Sequence, residues 1–225
     1  MTTNYLLIII IGVVGLIVQG RLQAVMHKYS RVRFYGGLTG REVAEKMLHD
    51  HGIHDVKVVS TRGHLTDHYN PATRTVNLSE GVYASNSIAA AAVAAHECGH
   101  AVQHAYGYAP LRLRSALVPV IQISSSLSTW VIIIGLVLIN TFPAIFWVGI
   151  AMIAASAVFS LVTLPVEYNA SHRALEWLEG SGTLSPEDMH GATVSLRWAA
   201  RTYLVAALSA IATLLYYIGF ARNND

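Results

Sequence analysis

In AAHECGHAVQH, residues 94–104, two histidines stand four apart and a glutamate directly follows the first. Residues at that spacing share one face of a helix, about 6 Å apart along its axis. His96 and His100 can therefore aim ring nitrogens at one ion about 2 Å from each. Glu97 lies about 100° round the helix, where it reaches a water on that ion rather than the ion. The flanking residues are alanine-rich from Ser85 to Tyr106, with Gly107 after them, and predict one continuous helix. Its apolar run before His96 is too short to cross a bilayer. Burying two histidines and a glutamate there without partners costs several kcal/mol, which argues against a plain core helix. Gly99 weakens the helix but permits close approach of another element.

Outside this helix the chain is poor in charge. Of its 225 residues 12% are charged and 53% hydrophobic, and mean hydropathy is +0.45. A soluble domain is nearer a quarter charged, so the composition points to a membrane. A net charge of +2 is too small for a nucleic-acid binder. The lone Cys98 excludes an internal disulfide framework and fits a reducing compartment. Residues 1–20, 115–166 and 202–220 carry no charged side chain. A span needs roughly 20 residues, and Asn140–Pro143 supplies a turn inside the long middle run. Four spans are expected, near 4–20, 116–139, 143–164 and 202–220. The first lacks a basic leader and a clear cleavage site, so it reads as a retained anchor.

The fold class expected is a mainly α membrane protein with about four transmembrane helices and a small cytoplasmic α/β zincin-like unit. The organisation follows: an anchor at 1–20, a cytoplasmic segment at 21–114, two transmembrane helices at 115–166, a cytoplasmic helical segment at 167–201, and a C-terminal helix and tail at 202–225. Orientation rests on Arg21, Lys28, Arg112 and Arg114 beside the first two spans, with Arg173, Arg197 and Arg201 between the last two. The opposite side holds only Arg222. The positive-inside rule puts both large segments in the cytoplasm.

Within 21–114, Thr39–His51 has the spacing of an amphipathic helix, with Val43, Ala44, Met47 and Leu48 on one face and Gly52 as a stop. Asp55–Ser60 alternates as a strand does. Leu65–Tyr69 and Thr75–Leu78 read as a hairpin around Asn70–Thr73.

HExxH on a helix is the metalloprotease pattern, two ligands plus a general base. A catalytic zinc needs a third protein ligand and one open position. His104 is about 12 Å from His96 along a continuous helix and cannot close the same tetrahedron. The metzincin pattern needs Gly at 103 and His or Asp at 106, where this chain has Gln103 and Tyr106. Glu167 is the better candidate. It lies in LPVEYNASHRALEWLEG, residues 164–180, where Pro165 suits the first turn of a new helix at the end of an apolar run. The alternative for such an acid is an interfacial anchor. Glu176 and Glu179 are further candidates on what looks like a solvated face.

HLTDHYNP at 64–71, AAHECGHAVQ at 94–103 and LPVEYNASHRALEWL at 164–178, on a four-span framework, resemble the YugP-type membrane zinc metallopeptidases of bacteria along nearly the whole chain. The resemblance implies zinc at His96, His100 and Glu167, with Glu97 as base, and a broad relation to thermolysin-like enzymes. In those sites an acid four residues after the glutamate ligand orients a ligand histidine. This chain has Ser171 there, and Asn169 where relatives are expected to carry Asp. His68 on the hairpin is read as a catalytic donor to the tetrahedral intermediate, with Asp67 and Tyr69 beside it and Tyr168 as a second choice. Ordinary turn polarity is the alternative for the hairpin residues.

The expected function is a Zn2+-dependent endopeptidase at the cytoplasmic membrane face. Its partners are the lipid bilayer and protein or peptide substrates, membrane-associated ones included. The alternative is a non-hydrolytic membrane scaffold or adaptor with a structural metal site. A site-2-type intramembrane protease would need an aspartate in a span, and the uncharged runs hold none.

Overall fold

A computed structural model describes residues 2–222. Their elements are α1 (Thr2–Tyr29), α2 (Gly40–Asp50), β1 (Lys57–Thr61), β2 (His68–Asn70), β3 (Thr75–Ser79), α3 (Glu80–Tyr83), α4 (Ile88–Ala105), α5 (Ala109–Val137), α6 (Pro143–Gly180) and α7 (Pro186–Arg222). The chain is mainly helical, with a small sheet, and divides into two compact units. Among the described residues one comprises 2–17, 112–165 and 202–222, the other 18–111 and 166–201.

In the first unit apolar side chains face outward. Leu16 is 76% exposed and Val137 78%, which water would penalise and lipid does not. Four described helices are long and apolar enough to cross a membrane: Tyr5–Tyr29, Ala109–Val137, Pro143–Gly180 and Pro186–Arg222. Gly135 packs against the backbone of Phe146 and Gly149 against Ile132, so small residues set the spacing of α5 and α6. Phe146, Ile132 and Ile150 form a buried cluster there with Tyr217 and Phe220.

The second unit holds the HExxH helix. Thr39 starts α2 through a capping box: Thr39 Oγ1 accepts from Glu42 N–H, and the Glu42 carboxylate accepts from Thr39 N–H. The face of α2 formed by Val43, Ala44, Met47 and Leu48 is buried. It meets α4, where the Cys98 thiol lies 3.5 Å from the Ala44 carbonyl. The alanines of α4 explain this closeness: Ala92, Ala94 and Ala95 are fully buried, and no longer side chain holds the neighbouring helix away.

The sheet has the order β1–β3–β2. The predicted hairpin is β2 and β3, antiparallel with Tyr69 opposite Val76. Asn70 Oδ1 accepts from Ala72 and Thr73 N–H to close the turn. β1 pairs with β3 in parallel, an arrangement the strand pattern does not announce. The first hairpin strand is shorter than expected, because Gly63 at φ +108° and Leu65 at φ +60° take residues 63–67 out of extended geometry. Pro165 does not open a new helix. It lies inside α6, which runs unbroken from Pro143 to Gly180. A proline removes one backbone hydrogen bond, and in an apolar run without water every break exposes more groups than it frees. Ser185 and Pro186 start α7, with Ser185 Oγ accepting from Asp188 N–H.

Candidate metal centre

α4 and α6 bring His96, His100 and Glu167 together, each offering one ligand atom, with all three atoms within 4.8 Å of one another. Glu167 Oε2 lies 3.2 Å from His96 Nε2 and 3.5 Å from His100 Nε2. Ligands about 2.05 Å from a tetrahedral zinc stand about 3.4 Å apart, so the two spacings are already those of a zinc site. Glu167 is only 1% exposed. A buried carboxylate needs partners, and the two imidazoles face it.

The approach of the helices is set by Gly99. A Cβ at that position would lie 2.5 Å from the Ala170 carbonyl oxygen. Only glycine allows α6 to pass this close to α4 and carry Glu167 to the histidines.

Each histidine is oriented through its other nitrogen. His100 Nδ1 is 3.0 Å from Gln103 Oε1. The Gln103 amide nitrogen donates to Val166 O at 2.8 Å and Asn169 Oδ1 at 3.0 Å, while Arg173 Nε donates to the same Asn169 oxygen at 2.8 Å. With its NH2 committed to two oxygens, Gln103 can only accept from His100. Nδ1 therefore carries a proton, which leaves Nε2, facing Glu167 at 3.5 Å, as the atom that would ligate a metal. His96 Nδ1 lies 3.1 Å from Ser171 Oγ, so a hydroxyl stands where thermolysin-like sites carry an acid. Asn169 is a link in the His100 chain. Such outer contacts fix ring orientation and ligand basicity. The donor set, its spacing and its tautomer all fit zinc.

Glu97 is buried, and its Oε2 accepts from Tyr69 N–H at 3.0 Å. That N–H points off the free edge of β2 toward α4. The Tyr69 hydroxyl reaches His104 Nδ1 at 2.7 Å. Burial pushes the Tyr69 phenol up, against a smaller lowering by Arg74. His104 thus anchors the hairpin. Burial, then the neighbouring Glu97, pushes the Cys98 thiol well above its ordinary range, and Cys98 is an inert packing residue.

His68 is exposed, with Nδ1 on Thr66 O at 2.8 Å. It pairs with Asn77, one residue out of phase with the Tyr69–Val76 pair, so it leaves the sheet on the face opposite the buried Val76. Tyr168 is 45% exposed. Glu176 and Glu179 are exposed, and Glu176 pairs with His172 at 3.0 Å. Gln103 and Arg173 are the members that reading the sequence missed. The one local signal was an amide three residues after a ligand histidine on an otherwise alanine-rich helix.

The sequence model of the family described as "Putative neutral zinc metallopeptidase" matches residues 4–222. The Bacillus subtilis protein named "Putative membrane protease YugP" is 39% identical over 206 residues, covering 92% of this chain and 91% of that protein. No solved structure matches the chain.

Proposed function

The chain belongs to this family of zinc metallopeptidases, and from that premise we propose that it is a membrane-embedded zinc endopeptidase, with His96, His100 and Glu167 as ligands and Glu97 as general base. The observation that carries the reading is the convergence of the three ligand atoms beside the buried Glu97 carboxylate. A bound zinc would acidify a water and polarise a carbonyl there.

The protein's own groups supply the rest. Glu97 takes a proton from the attacking water and returns it to the leaving amine. Its hold on Tyr69 N–H keeps the carboxylate aimed before substrate arrives. The outer edge of β2 lies beside it, and an extended peptide adds to such an edge as a further strand. Tyr69 N–H, once released by Glu97, is the donor best placed for the substrate backbone or the developing oxyanion. His68, exposed on the same strand, is a secondary proposal for that task.

The Lys and Arg distribution supports a cytoplasmic site. The membrane spans support membrane-associated or unfolded proteins as substrates.

The test is paired. Zinc content of the full chain purified in detergent, measured by elemental mass spectrometry, should be about one per chain and fall sharply in Glu167→Ala. Hydrolysis of an unfolded protein should drop by about a thousandfold or more in Glu97→Gln, with zinc retained. Zinc unchanged in Glu167→Ala would remove Glu167 as a ligand. Hydrolysis unchanged in Glu97→Gln would remove Glu97 as the base, and zinc bound without any hydrolysis in the wild type would leave a structural metal site in a membrane scaffold.

A further inference from the structure

We propose that the cavity preceding the HExxH turn of α4 is a specificity pocket for one bulky apolar side chain of the substrate, next to the bond that is cut. This rests on the peptidase reading above and names the substrate class.

The cavity measures about 500 Å³ and is bounded by Leu22 and Met26 of α1, Leu65 of the 63–67 loop, Val82 of α3, and Ala89 and Val93 of α4. All of these belong to one compact unit. The volume is within the range of ligand pockets, which bind through apolar walls and a few polar groups.

Its position follows from helix arithmetic. At about 100° per residue, Ala89, Val93, His96, Glu97 and His100 fall within about 100° of arc on α4. The cavity and the metal centre therefore share one helix face. Val93 precedes His96 by about 4.5 Å along the axis, the reach of one side chain from a bond held at the centre.

The chemistry of the walls follows from which polar groups are already engaged. The Asp67 carboxylate accepts from Ser79 N–H at 2.7 Å and from Ser79 Oγ at 3.0 Å. Ser87 Oγ accepts from Ala90 N–H and is the N-cap of α4. Gln19, Gln23, His27, Ser30 and His64 also line the cavity, so the wall is apolar with a few polar groups, and an apolar side chain fits it better than one that must give up its water. Met26 adds an unbranched side chain that adapts to the shape of an apolar guest.

Leu65 is the second, independent observation. It adopts φ +60°, a conformation that a leucine enters only under constraint, and its side chain is 60% exposed. Its apolar surface, part of the cavity wall, is held against water by a strained backbone. Such strain is a mark of binding loops, and an apolar guest would cover the exposed surface.

The experiment uses the full chain, zinc-loaded in detergent, and a set of short peptide hydroxamates that differ in one side chain next to the chelating group. Leu and Phe probes should bind at least about tenfold tighter than Ala and Lys probes. Val93→Phe, which fills the cavity from α4, should bring the Leu-to-Ala ratio close to one. Leu65→Asn should reduce the same ratio while the melting temperature holds or rises, because Asn is more at ease at positive φ. A defect of folding alone would lower both. A ratio unchanged in both variants, a Lys probe that binds best, or no probe bound at all would overturn the proposal. Side-chain selectivity in a protein that hydrolyses no peptide would refute the peptidase reading and leave the pocket standing. Hydrolysis with selectivity indifferent to both substitutions would do the reverse.

Discussion

His96 and His100 meet the same oxygen of Glu167, but the ground behind each is different. Behind His100 stands a buried chain: Gln103, fully buried, joins the ring to Val166 O and to Asn169, which Arg173 also holds. Behind His96 stands the hydroxyl of Ser171. An amide with both donors engaged dictates one tautomer to its partner. A hydroxyl can donate or accept, so it adapts to either. The His100 side of the centre is thus preset, while the His96 side, its side chain 12% exposed against 8% for His100, follows. Both sides depend on one thing in common, the short distance between α4 and α6 at Gly99.

That common dependence gives the largest expected effect. Gly99→Ala places a methyl 2.5 Å from the Ala170 carbonyl oxygen, and backbone cannot swing aside as a side chain would. Overpacking costs about 1–3 kcal/mol where neighbours can yield, and here the relief must come from moving α6, which carries both Glu167 and Ser171. Thermal melts should show a clear loss of stability, and elemental analysis a zinc content near zero. Gly180→Ala is the control: the same atom there meets nothing within 4 Å, and both readings should stay at wild type. Full zinc binding in Gly99→Ala would break the idea that one fixed gap serves both histidines.

The next two substitutions test the asymmetry itself. Gln103→Leu keeps the volume but strips the proton acceptor from His100 and the donor from Val166 O and Asn169. Outer-contact losses of this kind cost about 10- to 100-fold in metal affinity, and competition against a chromophoric chelator should place Gln103→Leu in that range. Ser171→Ala removes one adaptable contact and should cost less than about tenfold by the same measurement. The reverse order would show that His96 carries the preset side. Ser171→Asp sharpens the point: a carboxylate beside Nδ1 makes the ring a stronger ligand, so zinc should bind a few-fold tighter than in wild type.

How much of this was legible in the sequence follows the range of the forces involved. His96, Glu97 and His100 are set by helix period, which is local, and the capping box of α2 is likewise written within four residues. Glu167 could be picked from its place after an apolar run, although the helix break expected at Pro165 is absent: a long-range apolar setting outweighed a local breaker. Gln103 was read only as a departure from another motif. Its partners are 63 and 66 residues away, and no periodicity reports such a distance. The parallel β1–β3 pairing was hidden for the same reason. Gly99 was legible as a site of close approach, but what approaches it was not.

A tie between α2 and α6 gives the smallest effect and a check on locality. Asp50 Oδ2 accepts from Lys46 Nζ and from Trp177 Nε1, each at 3.0 Å. The Lys46 bond foremost, and Trp177 with it, hold the Asp50 carboxyl below its ordinary value against the opposing effect of burial. A carboxyl depressed in the folded state adds stability above its unfolded pKa, and that stability is lost as pH falls through the folded value. With the Asp50 side chain 37% exposed, solvent screening limits the gain to about half a kcal/mol. Asp50→Asn should therefore melt slightly earlier than wild type at neutral pH, and the difference should shrink as pH drops below the ordinary aspartate range. Zinc affinity should not change, because this tie joins α6 to α2 and leaves the Gln103 and Ser171 contacts intact. If Asp50→Asn weakened zinc as much as Gln103→Leu, the support of the centre would be a property of the whole helix packing. The distinction between a preset and a following histidine would then dissolve.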